Sequence, residues 1–346
     1  MKRAKTLQIC GTGSGVGKSV IVAGLCRIFL QDGFRVCPFK AQNMALNSFV
    51  TNEQGEIGRA QAAQAMACRI EPSVDMNPIL IKPTSDCRAQ VIVRGKPCAN
   101  MKAAQYIKYK KNLKKVIRES FVRLSRKYDI VVIEGAGSPA EINLKKHDLV
   151  NMKMAAYAHA PVILVGDIDK GGVFAWIAGT LELLNKKEKA MIQGIIINKF
   201  RGDKALLAPG IRFLEKRTGI KVLGVVPYFK NIKIPEEDSV PLDTYVHKNK
   251  KRKDTLHIDV IYLPHISNFT DFDALEKEAD VALKYIKRAE EFNNPDIIII
   301  PGSKNTIADL RYLKKGGLAQ QIISSISHKP STVLLGICGG YQMLGK

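Results

Sequence analysis

The sequence predicts an α/β fold: a doubly wound parallel sheet followed by a second, shorter α/β segment. Three observations carry this. Short, almost wholly apolar segments, such as residues 162–166 and 297–300, alternate with longer amphipathic stretches, the pattern of parallel strands covered by helices on both faces. A glycine-rich loop joins the first apolar segment to the first amphipathic one. The alternation breaks at a Lys-rich run near residue 248 and then starts again.

In chain order, residues 7–10 read as the first strand and residues 18–30 as the helix after it. Further strands are expected at 35–38, 130–134, 162–166, 194–198 and 222–226, with helices between them, including a long basic one over 102–127. Beyond the break, 257–263, 297–300 and 332–335 read as strands. The expected organisation is a first domain over 1–247, a basic linker over 248–254 and a second domain over 255–346. With 346 residues, 46% of them hydrophobic, the chain can bury ample cores without disulfides or metals. No apolar run approaches the roughly 20 residues of a membrane-spanning helix, and the N-terminus does not read as a signal peptide. Membrane and collagen-like classes are thereby excluded.

The formal net charge is +22, and residues 101–127 carry ten Lys and Arg against Glu119 alone. A second concentration is Lys248, Lys250, Lys251, Arg252 and Lys253. Either stretch is compatible with a polyanion-binding surface. No aromatic stacking pattern or nucleic-acid motif accompanies them, so the favoured reading is a solvated helix face and a charged linker, with neither nucleic acid nor membrane as partner. Seven cysteines, an odd number with no C-x-x-C pair, point to a reduced cytoplasmic protein with buried thiols.

The most informative motif is Gly11-Thr12-Gly13-Ser14-Gly15-Val16-Gly17-Lys18-Ser19, which follows a strand and opens a helix. Glycines let successive N–H groups converge on phosphate oxygens, and the helix N-terminus adds a favourable dipole. Gly13, Gly15, Val16 and Gly17 are the expected cradle, Lys18 reaches the β/γ-phosphates, and Ser19 is a ligand for Mg²⁺. Position 12 is Thr where the common spacing has glycine. Glu134 closes a run of four apolar residues at the C-terminal edge of its strand, where open α/β sheets bind ligands, and is the second expected Mg²⁺ residue. Asn198, at a strand end, is placed either to read adenine or to cap a loop. The guanine-type N-K-x-D is absent because position 201 is Arg, so ATP is expected rather than GTP.

The Gly-Thr-x-x-x-x-Gly-Lys-Ser form resembles the dethiobiotin-synthetase-like group of P-loop enzymes. Longer segments narrow the resemblance: Phe39-Lys40-Ala41-Gln42-Asn43-Met44-Ala45-Leu46-Asn47-Ser48, Gly55-Glu56-Ile57-Gly58-Arg59-Ala60-Gln61, Met76-Asn77-Pro78-Ile79-Leu80-Ile81-Lys82-Pro83, the Asp167-Ile168-Asp169-Lys170-Gly171-Gly172 run and Pro301-Gly302-Ser303-Lys304-Asn305-Thr306. Together they are similar to the cobyric acid synthase family, from about residue 6 to the last. The resemblance implies an ATP-dependent amidoligase that amidates the b, d, e and g carboxylates of adenosylcobyrinic acid a,c-diamide through acyl phosphates, with ammonia from glutamine, in cobalamin biosynthesis. It implies that Lys40 neutralises phosphate charge opposite Lys18 and that Glu56 joins Ser19 and Glu134 at the metal. Asn43, Asn47, Arg59 and Gln61 become candidates for corrinoid contacts, although for the two Asn a capping or turn role is equally open. Asp167 and Asp169 serve either nucleotide or substrate, or Asp169 caps the next helix.

Leu335-Gly336-Ile337-Cys338-Gly339-Gly340-Tyr341 follows a strand and resembles the nucleophile elbow of class I glutamine amidotransferases. Cys338 is the expected glutaminase nucleophile, with backbone N–H groups at Gly339 and the Gly302 loop as oxyanion hole. A thiol nucleophile needs a base, and the family's His-x-Glu pair lies downstream of the cysteine. All six histidines here precede Cys338. The expectation is an incomplete, C-terminally truncated amidotransferase domain whose missing segment leaves this chain without glutaminase activity of its own. Two other enzymes compete with this reading, the related cobyrinic acid a,c-diamide synthase and a dethiobiotin-synthetase-like ligase. A P-loop DNA-partitioning or regulatory ATPase is the alternative from another class. Such ATPases carry an early signature lysine where this loop has Gly13 and Ser14.

Overall fold

The computed structural model describes residues 3–85, 88–229, 255–292 and 294–345; the basic run 248–253 and the expected linker 248–254 lie outside them. The chain opens with β1 (Lys5–Gly11), α1 (Lys18–Gln31), β2 (Val36–Phe39), β3 (Gln42–Met44), β4 (Ser48–Val50) and β5 (Glu56–Gly58). It continues with α2 (Arg59–Ala67), β6 (Ile79–Ser85), β7 (Arg88–Val93), β8 (Lys96–Lys102), α3 (Ala103–Lys127) and β9 (Ile130–Glu134). Then come α4 (Ile142–Lys145), α5 (Met152–Ala158), β10 (Val162–Asp167), α6 (Val173–Glu182), α7 (Lys186–Met191), β11 (Ile192–Phe200), α8 (Lys204–Thr218) and β12 (Val222–Pro227). The later part holds β13 (Leu256–Ile261), α9 (Asp273–Lys277), β14 (Val281–Ile286), β15 (Ile297–Ile300), α10 (Thr306–Lys315), α11 (Leu318–His328), β16 (Val333–Gly336) and α12 (Gly339–Met343).

Two compact units emerge, one of Met1–Met44, Phe49–Ile81 and Val91–Pro235, the other of Ala45–Ser48, Lys82–Gln90 and Glu236–Lys346. The expected division was contiguous. The structure instead groups two short early segments with the later residues: Ser48 N donates to Asn268 Oδ1 at 3.2 Å, and Asn305 Nδ2 to the Thr84 carbonyl at 3.3 Å.

In the first unit a six-stranded sheet runs β12-β11-β10-β1-β9-β2, every pair parallel. Its inner strands are apolar on both faces because helices cover both: β9 is buried at every position. Val22 and Cys26 on α1 pack with Ile9, Val36 and Val132, while Val173, Ile177 and Leu181 on α6 pack with Leu164 and Ile195. β1 is central, and the chain leaves it to build outward on both sides, so its C-terminal end is the switch point where such sheets place ligands. A smaller sheet, β3-β6-β7-β8, and the pair β4-β5 were not foreseen. On α3, Leu113, Ile117, Phe121 and Leu124 form the buried stripe, and nine of the ten basic side chains in 101–127 are exposed. Arg123 pairs with Asp75, and Arg94 with Glu119.

The second unit is built on a four-stranded parallel sheet, β14-β13-β15-β16. Its core gathers Ile258, Val260, Leu283, Tyr285 and Ile298 from the strands and Leu313, Leu318 and Ile322 from α10 and α11. β16 is an edge strand, and Val333 and Leu335 on it are 56% and 46% exposed. β14 was not foreseen. No helix among the described residues is long and apolar enough to cross a membrane.

Candidate functional site

The first unit concentrates polar chemistry at the C-terminal end of β1. Gly15 and Gly17 hold φ of 70° and 92°, a left-handed backbone that glycine adopts without a Cβ clash. At Gly17 a side chain would also collide with the Asn198 amide. Val16 is buried and anchors the loop to the core beside α1. Lys18 Nζ donates to the carbonyls of Gly13 at 2.7 Å and Gly137 at 3.1 Å, which folds its ammonium over the glycine loop.

Glu134 is the hub next to it. One carboxylate oxygen accepts from Ser19 Oγ and from Lys40 Nζ, both at 2.8 Å. The other accepts from Gln64 Nε2 at 2.5 Å and from Gln61 Nε2 at 3.5 Å. Gln61 Oε1 in turn accepts from Asn43 Nδ2 at 3.0 Å. Glu134 is 1% exposed and Lys40 5%. Burial pushes the Glu134 carboxyl up, but the Lys40 ammonium and the donors from Lys40, Gln64 and Ser19 outweigh it and hold the group below its ordinary value. A buried carboxylate alone would cost several kcal/mol; here its lone pairs are filled by partners from α1, from α2 and from Lys40, the residue after β2. Asn77 and Asn151 brace the flanks: Asn77 accepts from Gly58 N at 3.0 Å and donates to the Lys40 carbonyl at 3.1 Å, and Asn151 grips both ends of the Ala136 peptide.

Ser19 Oγ and the Glu134 carboxylate are hard oxygen donors in contact beside a phosphate-type loop, which fits Mg²⁺. Among the described residues no group of three His, Cys, Asp or Glu side chains converges. Such a sparse protein donor set suits an ion that keeps waters and takes phosphate oxygens as ligands. Glu56, the third expected metal residue, starts β5 three residues before α2.

On the other flank of the loop, Asn198 Nδ2 donates to the Val16 carbonyl at 2.8 Å. The structure thus uses Asn198 as a brace for the glycine loop. Lys199, in a left-handed backbone at φ 60°, joins the Gly15 carbonyl at 2.7 Å to the buried Asp167 at 2.8 Å. Asp169 pairs with Arg201 at 2.7 Å, whose guanidinium stacks 3.4 Å over the Tyr228 ring. Asp169 does not cap α6; Gly172 holds that position. Both acids are therefore engaged in ion pairs within this unit. Arg59 lies 6.0 Å over the Phe49 ring. Asn43 and Gln61 belong to the Glu134 network, whereas Asn47 is buried in the second unit. Gln64, Asn77 and Asn151 were not singled out from the sequence.

In the second unit the chain leaves β16 at Gly336 and turns into α12 through Cys338, which holds φ 48° and ψ −108°. A positive φ at a non-glycine residue is strained and here leaves the thiol exposed. Gly339 and Gly340 pack so closely on Ser303, Ile300 and Pro301 that neither tolerates a side chain. A Cβ on Gly302 would lie 3.9 Å from Cys338 Cβ. The expected nucleophile and both expected oxyanion residues are thus brought together. Among the described residues no histidine ring is hydrogen-bonded to Cys338: His265 bonds Asp309, and His328 bonds Ser324.

With this geometry in view, residues 7–242 match the family model of a CobQ/CobB/MinD/ParA nucleotide binding domain, and residues 257–346 that of a CobB/CobQ-like glutamine amidotransferase domain. Curated relatives agree over almost the whole chain. A cobyric acid synthase from Syntrophobacter fumaroxidans is 54% identical over 345 residues, covering 99% of this chain and 67% of the relative. Those from Desulfitobacterium hafniense strain Y51 and Alkaliphilus metalliredigens are 53% and 56% identical, covering 100% and 98% of this chain and 68% and 66% of the relatives. The chain spans about two thirds of the length of the curated relatives it matches.

Proposed function

The chain belongs to the cobyric acid synthase family, and on that premise we propose that it amidates the b, d, e and g carboxylates of adenosylcobyrinic acid a,c-diamide with ATP and ammonia. The observation that carries the reading is the buried Glu134 carboxylate, bonded to Ser19 and Lys40 at the mouth of a loop that carries Lys18. In the first step a corrinoid carboxylate oxygen attacks the γ-phosphorus, a P–O bond forms, and ADP leaves with the electron pair of the broken bond. In the second, ammonia attacks the acyl carbon and phosphate leaves, the surplus proton passing to water. Both steps need positioning and charge neutralisation more than covalent help. Lys18 and the loop N–H groups neutralise the transferring phosphate, and Lys40 adds its charge from the Glu134 side. Asn198 and Lys199 hold the loop in shape through Val16 and Gly15. Ser19 and Glu134 would hold Mg²⁺, which when bound screens the charge of the β- and γ-phosphates.

We propose glutamine as the nitrogen source, with Cys338 attacking its side-chain amide once a general base is supplied to the thiol, since no histidine among the described residues is bonded to it. The attack makes a thioester, ammonia leaves with the C–N electron pair and the thiol proton, and water then cleaves the thioester to glutamate and the free thiol. We place the reaction in the cytoplasm, where ATP is at hand and free thiols such as Cys10, Cys26 and Cys338 persist. The test is product formation from the a,c-diamide with ATP and either ammonium or glutamine. Amide formation with ammonium, lost in Lys18→Ala, supports the reading. ATP hydrolysis stimulated by DNA with no amide formed would replace it with the partitioning-type ATPase.

A further inference from the structure

Asp309, in the first turn of α10, is completely buried. Its two oxygens are divided between two loops. Oδ1 takes His265 Nδ1 at 2.7 Å, and Oδ2 takes Ser303 Oγ at 2.6 Å. The same two loops are stitched by backbone bonds on either side: Ser267 N to the Gly302 carbonyl at 2.8 Å and Lys304 N to the His265 carbonyl at 2.9 Å. Ser303 Oγ also accepts from Asn305 N at 2.9 Å, so it is fixed from two sides. The loop so fastened is the one against which the nucleophile turn rests, Gly339 on Ser303 and Gly302 facing Cys338. The helix N-terminus favours the negative charge of Asp309, which lets one carboxylate serve as a common anchor.

We propose that Asp309, with Ser303 and His265, is a positioning group that fixes the Gly302–Ser303 backbone opposite Cys338, so that a glutamine carbonyl is received in one geometry. This rests on the reading of the Cys338 turn as the glutaminase centre. Without the anchor the loop can drift by a fraction of an ångström, enough to misalign donors that act only at hydrogen-bond distance.

The test compares two thiol reagents on the full chain, following the Cys338 peptide by mass spectrometry. 6-Diazo-5-oxo-L-norleucine presents its ketone where the glutamine carbonyl belongs. The Cys338 sulfur bonds to the diazo carbon, that carbon takes the thiol proton, and dinitrogen leaves. Iodoacetamide alkylates the same sulfur with loss of iodide and has no carbonyl to be seated in that way. In Asp309→Asn we expect labelling by the diazoketone to fall about tenfold, the scale set by a weakened oxyanion contact, with iodoacetamide labelling within about twofold of the parent, since exposure of the thiol is unchanged. Ser303→Ala, which removes one bond without burying a charge, should lose about threefold on the diazoketone alone. Diazoketone labelling at the parent rate in both variants would overturn the proposal, and so would an equal fall with both reagents, which reports general loosening. If the parent chain reacts with iodoacetamide but not with the diazoketone, the glutaminase reading itself fails and this proposal fails with it.

Discussion

Two strand-to-helix turns present the reactive groups of this chain, and they solve the same problem differently. After β1 the left-handed backbone is carried by Gly15 and Gly17; after β16 it is carried by Cys338 itself. The first turn needs bare N–H groups, so glycine removes the side chains and leaves a cradle. The second needs one side chain pushed out, so the strain falls on the residue that reacts. Their surroundings differ as well. Around the glycine loop, Ser19 of α1, Gln61 and Gln64 of α2 and Lys40, just beyond β2, converge on Glu134 at the end of β9. Around Cys338 the loop contacts are in place, but no histidine among the described residues is bonded to the thiol. The lesson is that the phosphate loop is held by a network of side-chain hydrogen bonds from several elements, whereas the thiol turn is held by close glycine packing on Ser303 and Ile300.

The comparison breaks most sharply at Lys18. Lys18→Ala should lower ammonium-dependent amidation about 10³-fold with the melting temperature retained; amidation within threefold of the parent would remove the glycine loop from the chemistry. Next comes Glu134→Gln. It strands the Lys40 ammonium in a buried site, and breaking such a pair costs about 3–5 kcal/mol, read as a lowered denaturation midpoint together with lost turnover. The carboxyl of Glu134 is held below its ordinary value, so its contribution is full at neutral pH and is lost as pH falls through the folded value. A variant whose acid-side melting profile matches the parent would refute the pairing.

A smaller effect is expected at Asn198. Asn198→Ala removes one brace of the glycine loop, worth about 1 kcal/mol; it should raise the KM for ATP about fivefold with kcat little changed, and a change in kcat alone would speak against the brace. The second unit has a buried carboxylate of the opposite kind. Asp259, on β13, has one oxygen without a hydrogen bond, and burial, only partly opposed by Lys284, pushes its pKa from 3.8 up to about 7. A carboxyl raised in this way favours the fold most below pH 4 and loses that advantage as pH rises through 7. Asp259→Asn should flatten the melting-temperature profile between pH 4 and 7; an unchanged slope would show that Asp259 does not titrate with folding.

Much of this was legible in the chain. The glycine loop, Lys18, Ser19 and the placement of Glu134 at a strand end follow from local pattern, because a loop between strand and helix encodes its own geometry. Gln64 and the bond that Lys199 makes were not legible: Gln64 reaches Glu134 across 70 residues and Lys199 reaches Gly15 across 184, distances at which no periodicity speaks. β14 escaped because Lys284 interrupts its apolar run, a lysine that lies beside Asp259 in the register of the two strands. β3, β4 and β5 are three residues each, too short for alternation to show. The ambiguity at Asn198 could not be settled from sequence either, since a strand-end amide faces ligand and loop alike.

The proposed activity is tested most directly by amidation itself: purified chain, ATP, Mg²⁺ and adenosylcobyrinic acid a,c-diamide with ammonium as donor, following corrinoid products by mass and ADP by release. Successive amides with one ADP released per amide are expected, with the same ammonium-dependent yield in Cys338→Ala. ATP consumed with the a,c-diamide returned unchanged would contradict it.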